Sequence, residues 1–586
     1  MKKTILPFLL IFWMLIPNSI SALQYAETGK IQIDEIKNAY KAIVKITTYA
    51  LEGNILHTGT GVFINEDGTC LAPYSLFKNA THAEITDFRG NKLTVKRILG
   101  ANSNYDLVKF STEGGKKVEA LTVSDASTVT TGTPVHLMHY TTKKKEIMTT
   151  VHILKVEEYD NYKYFRVSVD NTKENFGRPL VSSTGQLIAF VQKNEAKDDS
   201  LACAIDTRFA NDLTITATSA MNADLRAINI PKALPSKEKD ALTYIYMLGT
   251  RDSVSALTAL NDFIDTYPEN AEGYTNRANY YASHGEYIKC EQDYLTALTK
   301  APNTQSTLKA DEVHNEFSKQ IYKRATATTE HPVEGWTFER ACEEAEKAHS
   351  LVPNPYYLLQ QGRCYFALKE YQKAYQKFVE LASSDNTTDS LSWSQVARAE
   401  AWFYAARSLE MAGGDSLKVI ALMDSTISKF PIPYTQDAAP YLLYRAQLLE
   451  QAGEYRRAVA DYNEYEKAIG PKNLNAKFYY LREQIELRAR MFQQALDDIR
   501  TAINYAPEEP IFRIEEALVL LRAGLFEETV STCQNLLKTY PDAANIHKIL
   551  GIAYGELGKK SQAITELNKA KELGDSNAET FLQKYK

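Results

Sequence analysis

A unit of about 34 residues that recurs through the second half of the chain constrains the fold more than any other feature. The unit is clearest at 271–304, where small residues stand at Ala278, Cys290 and Ala297 and a turn at 284–286 separates two runs with helical periodicity. Two short amphipathic helices cannot bury both of their apolar faces alone, so each unit needs a neighbour on either side. The unit therefore predicts an array of helical hairpins.

The same markers recur at the same spacing in the rest of this region. Pro268 precedes Pro302 by one unit length, and Pro541 follows Pro507 by the same interval. The pattern resembles the tetratricopeptide repeat, in which small residues let two helices approach and a terminal proline ends the second helix. The resemblance implies about eight or nine repeats over 240–576, with a capping helix at 577–586. A run of unrelated helical hairpins is the alternative, and the number of units that share these markers argues against it.

The amino terminus has the three-part pattern of a secretory signal peptide at 1–22. Lys2 and Lys3 precede an apolar run at 5–17, and a short polar stretch ends at Ala22. The apolar run is too short to span a bilayer comfortably, although a retained anchor is the alternative. We therefore expect an exported bacterial protein, periplasmic or secreted, with no transmembrane segment after cleavage.

Residues 36–212 follow a different pattern, in which short runs rich in Val, Ile, Thr, Phe and Tyr alternate with Gly, Asn and Asp turns. Many short strands at close spacing predict an all-β barrel or sandwich. Three segments narrow the choice: 59–68 (GTGVFINEDG), 104–108 (NYDLV) and 174–181 (ENFGRPLV). In this order they resemble the segments around the catalytic His, Asp and Ser of trypsin-like serine proteases of the bacterial heat-shock type. The resemblance implies a trypsin-like double β-barrel followed by an all-α repeat superhelix.

Two of the three catalytic positions carry other residues in this chain. Alignment on the resemblance puts Ser75 where the family has its His and Phe176 where it has its Ser, while Asp106 remains. A serine does not accept a proton near neutral pH, and a benzyl group has no lone pair for attack on a carbonyl. Loss of the base or the nucleophile costs on the order of 10⁶-fold in rate in a model protease. We therefore expect no catalytic residues and a degenerate domain.

Two other readings of this domain stay open. The alignment could differ by a residue or two, or a relocated base and nucleophile could act together. The other imidazoles here are those of His57, His82, His136 and His139, and the relocated nucleophile would be Ser182 or Ser183. A serine endopeptidase with a non-standard site is thus one alternative function, and a structural subunit of a cell-envelope complex is another.

The segment 213–239 joins the two regions. It has no strong periodicity, and Pro231 and Pro235 stiffen its second half, so we interpret it as a short semi-rigid linker.

In the array, the resemblance implies that partners bind the concave face formed by the first helix of each repeat. The inward-facing positions carry amides, a tyrosine and two cations: Asn276, Asn279, Gln360, Arg363, Tyr444, Gln447, Gln484 and Lys548. Such side chains can hydrogen-bond a peptide backbone or a carboxylate, although any one of them alone is more often a solvated surface residue, so the prediction concerns the surface as a group. We expect peptides or partner proteins to bind here.

Composition excludes several other functions. The net charge of −6 leaves no basic surface for nucleic acid. The six cysteines form no C-x-x-C pair and do not group with histidine at metal-ligand spacing, and no phosphate-binding loop or H-E-x-x-H motif is present. We therefore expect no metal and no cofactor. Whether Cys70 and Cys203 pair is left open, as are the identity of the partner and the oligomeric state.

Overall fold

The chain forms two compact units, Met1–Leu308 and Lys309–Lys586. The computed structural model describes residues 34–585 apart from 115–116, 142–146, 160, 193–199, 304–307, 328–331 and 385–394. The predicted signal peptide at 1–22 lies outside the described residues.

Twelve strands in the described residues form two closed six-stranded barrels within the first unit. Their orders are β1-β2-β3-β6-β5-β4 and β10-β11-β12-β9-β8-β7, with neighbouring strands antiparallel. The strands are β1 (Ile43–Tyr49), β2 (Ile55–Phe63), β3 (Cys70–Ala72), β4 (His82–Thr86), β5 (Lys92–Asn102), β6 (Leu107–Thr112), β7 (Pro134–Met138), β8 (Met148–Tyr159), β9 (Tyr162–Asp170), β10 (Pro179–Val181), β11 (Leu187–Gln192) and β12 (Leu201–Asp206).

Buried apolar side chains fill both barrels in two clusters, the first of which extends from the first barrel to residues of the second, such as Phe190. Ile46, Phe63 and Phe110 are buried in the first core, and Phe165 and Leu180 are buried in the second. Buried and exposed side chains alternate along strands such as β9, which suits a pleated surface with one buried face, whereas β11 is buried at almost every position. Cys70 on β3 and Cys203 on β12 belong to different barrels, and no disulfide joins any two of the six cysteines, all of which lie among the described residues.

The remaining elements are helical. The numbered α-helices are α1 (Ala223–Arg226), α2 (Glu238–Gly249), α3 (Ser253–Thr266), α4 (Ala271–Ser283), α5 (Tyr287–Lys300), α6 (Ala310–Thr326), α7 (Phe338–Leu351), α8 (Pro355–Ala367), α9 (Tyr371–Ser383), α10 (Gln395–Met411), α11 (Ser416–Ile427), α12 (Ala439–Gln451), α13 (Tyr455–Ile469), α14 (Ala476–Arg488), α15 (Phe492–Tyr505), α16 (Pro510–Arg522), α17 (Phe526–Thr539), α18 (Ala544–Glu556), α19 (Lys560–Glu572) and α20 (Ala578–Tyr585). The predicted fold class, a double β-barrel followed by an all-α region, is confirmed.

The repeat period of the sequence is visible in the helix starts. α14, α16 and α18 begin at Ala476, Pro510 and Ala544, at equal intervals of one repeat unit. The turn inside a hairpin needs one residue with positive φ, and Gly524 and Gly558 occupy it with φ of +79° and +74°. Glycine adopts this conformation without steric cost, so the spacing of these glycines marks the hairpins.

The segment 213–239 packs on the first barrel. Leu213, Ile228 and Ile230 are buried in the same apolar core as the strands of that barrel. The backbone N–H of Ile98 on β5 donates to the Pro231 carbonyl, and the Ala233 N–H donates to the Ile98 carbonyl, both at 2.9 Å. The prolines of this segment predicted a linker. Its apolar side chains pack on the first barrel and so join the segment to the first unit.

Three of the described hairpins share a largely buried arginine–aspartate pair. In each, the guanidinium of the first helix makes two hydrogen bonds to an aspartate 16 residues later on the second helix. The N–O distances lie between 2.6 and 2.9 Å, for the pairs Arg277–Asp293, Arg445–Asp461 and Arg482–Asp498. Bidentate pairing fixes the relative position of the two groups, so each pair sets the register between its two helices.

The hairpin of α14 and α15 buries two more carboxyl groups beside Arg482. Glu483 is 0% exposed and Glu486 is 2% exposed. In the described part of the chain, Glu483 Oε1 and Glu486 Oε2 have no hydrogen-bond partner. Burial raises the pKa of both carboxyls to about 8, and the neighbouring Asp498 acts in the same direction. Both groups are therefore held largely neutral in the folded protein at neutral pH.

This cluster predicts that the second unit becomes less stable as the pH rises from about 4.5 to about 8. Between these values the unfolded chain has lost protons that the folded chain keeps, so the free energy of unfolding falls with increasing pH. The double variant Glu483→Gln/Glu486→Gln removes that difference. We expect it to raise the free energy of unfolding at pH 7.5 by roughly 1–3 kcal/mol, with a much smaller gain at pH 5.

Urea unfolding followed by circular dichroism at 222 nm at the two pH values measures the effect. Other charged groups of the cluster, namely Arg482, Glu466, Asp498 and Glu515, are left unchanged in the variant. Glu508→Gln, at an exposed position, serves as the control and is expected to unfold like the unmodified protein at both pH values. Equal stability of the double variant and the unmodified protein at pH 7.5 would contradict the assignment of neutral buried carboxyls.

Candidate functional site

Ser75 and Asp106, which the sequence aligns with two catalytic positions, are in direct contact. Asp106 Oδ1 accepts a hydrogen bond from the Ser75 backbone N–H at 2.7 Å, and Asp106 Oδ2 accepts one from the Ser75 hydroxyl at 3.1 Å. Ser75 therefore stands at the side of the carboxylate where the resemblance implies an imidazole. Ser75 is exposed, whereas the residues on either side of it in the turn are buried or half-buried.

The barrel positions the pair. Ser75 lies in the single 3₁₀ turn Tyr74–Leu76 that follows β3, and Asp106 lies in the turn between β5 and β6. β3 and β6 are paired, with Ala72 opposite Val108, so the ends of the two strands meet at the same edge. The Tyr74 N–H also donates to the Asp106 carbonyl at 3.0 Å.

Asp106 combines an unusual backbone conformation with a desolvated carboxyl group. Its φ is +46°, in the left-handed region that aspartate tolerates better than most residues. Burial raises the pKa of the Asp106 carboxyl, and the two hydrogen bonds from Ser75 oppose that rise. Ser75 thus stabilises the ionised form of the carboxylate.

The loop of the third position contacts the loop of the first. Phe176 is half-buried in the turn that precedes β10, next to Gly177, whose φ is +75°. A Cβ atom placed on Gly177 would lie 2.3 Å from Cγ of Pro73, two residues before Ser75. The Gly177 N–H donates to the Val191 carbonyl on β11 at 2.8 Å, which anchors the loop to the second barrel. The structure therefore brings the loops of all three predicted positions together.

The chemistry at these positions is that of a hydroxyl, a carboxylate and a benzyl group. The Ser75 hydroxyl donates to Asp106 and has no basic nitrogen to offer a substrate. The side chain at 176 is a hydrocarbon ring, and Glu174, at a position where the resemblance implies a glycine of the oxyanion-binding loop, is exposed. A carboxylate there opposes the negative charge that develops during acyl transfer.

His139 is held by the loop that carries Phe176. Its Nδ1 lies 2.7 Å from Nη1 of Arg178, and its Nε2 lies 3.0 Å from the Thr149 hydroxyl. A guanidinium only donates hydrogen bonds, so Nδ1 is the acceptor and the neutral ring carries its proton on Nε2. In this tautomer His139 donates to Thr149 and does not take a proton from it.

Three of the other candidates for a relocated base or nucleophile, His136, His82 and Ser182, contact neighbouring groups. His136 Nδ1 lies 3.2 Å from the Thr150 hydroxyl, and His82 Nε2 lies 4.0 Å from Glu84. His57 is exposed on β2. The Ser182 hydroxyl accepts from the Gln186 N–H at 3.0 Å and closes the turn after β10.

The eight residues predicted to bind peptide are divided between the two units. Asn276 and Asn279 lie on α4 in the first unit, and the other six lie in the second. Gln360 is 3% exposed and its amide donates to the Ser318 hydroxyl at 3.1 Å, so we remove it from the proposed surface.

Most of the remaining residues have partners inside the protein. Asn279 Oδ1 accepts from the Tyr294 hydroxyl at 2.6 Å, Arg363 donates to Glu400 at 2.7 Å, and Gln484 donates to Glu483 at 2.8 Å. Of the others, Tyr444 hydrogen-bonds Glu410, Lys548 pairs with Asp575, Asn276 is half-buried and Gln447 is exposed.

Two contacts of this domain were missed by sequence reasoning. The Arg178–His139 pair joins residues 39 positions apart, and no local pattern indicates it. The approach of Gly177 to Pro73 could have been predicted from the sequence, because a glycine in a loop often marks a close backbone approach.

Among the described residues, no group of three or more His, Cys, Asp and Glu side chains could hold a metal ion. No helix in the same part of the chain is long and apolar enough to cross a membrane.

Comparison with known proteins agrees with the fold of the barrel region. The family model of the trypsin-like peptidase domain matches residues 59–190, from β2 to β11. The comparison with curated proteins gives no match. Among solved structures, one similar chain is titled "HtrA-type protease AlgW with tripeptide", with 16% identity and a TM-score of 0.27. That match covers 31% of this chain and 61% of the other chain's length. The family-model match makes the barrel region similar to a trypsin-like peptidase domain, and a large all-helical region follows it in the chain.

The contact between Gly177 and Pro73 can be tested by adding a single methyl group. Gly177→Ala combines a left-handed backbone with a clash against a proline ring, and we expect a loss of roughly 2–4 kcal/mol in the free energy of unfolding. Gly90→Ala is the matched control, because Gly90 has φ of +89° and no atom lies within 4 Å of the place that a Cβ would take. We expect a loss of only about 1 kcal/mol for the control. Urea unfolding of both variants measures the difference, and equal losses would contradict the packing of the two loops.

Proposed function

We propose that this chain is an exported scaffold that binds peptides or partner proteins through its helical array, and that its trypsin-like domain does not cleave peptide bonds. The observation that carries the proposal is the contact of Ser75 with both carboxylate oxygens of Asp106. A triad needs an imidazole there to take the proton of the nucleophile, and the space beside Asp106 is filled by a hydroxymethyl group.

The loss of the nucleophile supports the same conclusion independently. Phe176 stands in the loop that contacts the Ser75 turn, so no hydroxyl or thiol is offered at the position where attack would begin. Because the base and the nucleophile act as one unit in catalysis, either loss alone removes most of the rate. A trypsin-like domain with both losses is retained for its surface or for its stability.

The helical region supports the binding part of the proposal. Hairpins that begin at equal intervals and turn at glycine resemble tetratricopeptide repeats. We infer repeats over 240–576 with α20 as the terminal cap, and a connecting segment at 213–239. Arrays of this kind offer a long surface made from one helix of each hairpin. Gln447 and Tyr444 on α12 are part of this proposed surface.

Export is the remaining part of the proposal. It rests on the charged, apolar and polar stretches of residues 1–22. A periplasmic or secreted location would place the array in contact with envelope or extracellular proteins.

Catalysis and binding are tested on the full-length protein. We expect no labelling by a fluorophosphonate probe above the level of heat-denatured protein and no release of fluorescent peptides from labelled casein. We expect Phe176→Ser to stay inactive as well, because Ser75 and Asp106 cannot supply a general base to the new hydroxyl. Labelling of the unmodified protein that maps to 36–212 would contradict the proposal and favour a peptidase with a non-standard site.

Partner binding is measured by affinity capture from an extract of the source organism. We expect proteins captured by the unmodified chain to be reduced several-fold by Tyr444→Ala/Gln447→Ala and retained by Ser75→Ala. Circular dichroism confirms that each variant is folded. Capture that depends on Ser75 and not on the two array residues would assign binding to the barrel domain.

A further inference from the structure

A cavity of about 900 Å³ lies inside the first unit, away from Ser75 and Asp106. Its walls come from the first barrel, the segment 213–239, and the helices α2 and α3. Much of the lining is apolar, with contributions from Ala220, Leu225, Ile228, Pro231, Leu248 and Ala259. The volume is within the range of cavities that hold small organic ligands.

One amine stands in this apolar wall. Lys232 lies between Pro231 and the barrel edge, where its backbone is bridged to Ile98 of β5. Its ammonium donates to the Ile228 carbonyl. An ammonium has three donors, and a neutral carbonyl gives its charge only partial compensation. Burial lowers the pKa of Lys232 to about 8, so the amine is charged below that pH at a cost in desolvation.

The acidic residue of the cavity, Asp252, accepts a hydrogen bond from the backbone and acts on Lys232 only at longer range, where it partly opposes the lowering of the Lys232 pKa by burial. Asp252 caps the amino terminus of α3, where its Oδ1 accepts from the Ser255 N–H at 3.0 Å. No ion pair within 4.0 Å joins Lys232 to Asp252 in the described residues. Arg226 and Arg251 also line the cavity and are exposed, so the cavity has three cations against one carboxylate. The charge of the site is therefore complementary to an anion.

We propose that this cavity binds a small amphipathic carboxylate, with its hydrocarbon part among the apolar side chains and its carboxylate on Lys232. A carboxylate provides the acceptors that the ammonium lacks, and burial of the hydrocarbon part supplies the hydrophobic contribution. The exposed arginines at the cavity attract the anion. The proposal is independent of the scaffold role, because it concerns other residues.

The probe is dodecanoate, titrated into the full-length protein by calorimetry below its micelle concentration. We expect Lys232→Met to weaken binding by about tenfold or more, the value of one charge-assisted contact. Lys237→Met is the matched control, because Lys237 is exposed, does not line the cavity and lies five residues further along the chain. We expect it to bind dodecanoate like the unmodified protein.

A second variant tests the same cavity in case Lys232→Met does not fold. Val254 lines the cavity and is 71% exposed at the start of α3, so Val254→Asp places a carboxylate there without disturbing the core. An aspartate in the first turn of a helix is favourable for folding. We expect this variant to fold normally and to bind dodecanoate about tenfold more weakly through charge repulsion.

The pH dependence gives a further readout. The dodecanoate carboxylate is ionised from pH 6.5 to 9.5, whereas Lys232 loses its charge above about pH 8. The pKa of Tyr244, which also lines the cavity, is raised to about 12 by burial, so it stays neutral in this range. The hydrogen bonds from Ser255 lower the pKa of Asp252, so this carboxylate stays ionised in the same range. We therefore expect the affinity to fall between pH 7 and pH 9.5 in the unmodified protein and to stay constant in Lys232→Met.

The binding measurements on these variants either support the proposed carboxylate site or contradict it. Binding that is about tenfold weaker in Lys232→Met and in Val254→Asp, and unchanged in Lys237→Met, supports the proposal. Absence of binding to the unmodified protein, equal binding by Lys232→Met, or equally tight binding of 1-dodecanol would overturn it.

Discussion

The pairing of β3 with β6 is the constraint on which the candidate site depends. Ala72 lies opposite Val108, so the turn after one strand meets the turn before the other, and Ser75 and Asp106 are brought within hydrogen-bond distance. Closure of the barrel leaves these turns little freedom. A residue at position 75 is therefore placed against the carboxylate whatever its side chain, and the chemistry of the site follows from which side chain that is. A serine in that place gives the carboxylate two hydrogen bonds, and the proposed loss of catalysis follows from the absence of an imidazole at this position.

In the helical region, contacts between the two helices of a hairpin fix their relative position. Small residues at Ala278 and Ala297 let two helices approach, but packing of small residues alone specifies register weakly. Pairs such as Arg277–Asp293 and Arg445–Asp461 add directional contacts between the two helices. Desolvation of the two charges offsets much of their attraction, so an intact pair acts on register more than on net stability. Removal of the arginine alone is costly, because it leaves a buried carboxylate uncompensated.

The double barrel could be predicted because its signals are local. The segments 59–68, 104–108 and 174–181 each combine a strand with a turn, and their order along the chain resembles a known family. The positions of Ser75, Asp106 and Phe176 followed from that resemblance. Side-chain burial could not be predicted in the same way, because it depends on distant neighbours. Gln360 is covered by contacts that include Ser318, 42 residues earlier, and no pattern around 360 indicates that contact.

The connecting segment and the buried acids show the same limit of local patterns. Pro231 and Pro235 suggest a stiff connection, whereas Ile228 and Ile230 are held in the barrel core by side chains far away in sequence. Glu483 and Glu486 occupy helical positions at which the other hairpins with an arginine–aspartate pair carry alanine, leucine or tyrosine. A helical pattern of three or four residues does not reveal whether a glutamate at such a position is solvated. Tertiary packing decides both cases.

A double-mutant cycle on Ser75 and Asp106 tests the central claim most directly. Urea unfolding of Ser75→Ala, Asp106→Asn, the double variant and the unmodified protein gives the coupling free energy between the two side chains. Direct contact predicts a coupling of about 0.5–1.5 kcal/mol, because each single substitution removes or weakens the same hydroxyl–carboxylate hydrogen bond. Strictly additive effects would mean that Ser75 does not occupy the place beside Asp106, and the account of a site without a base would fail.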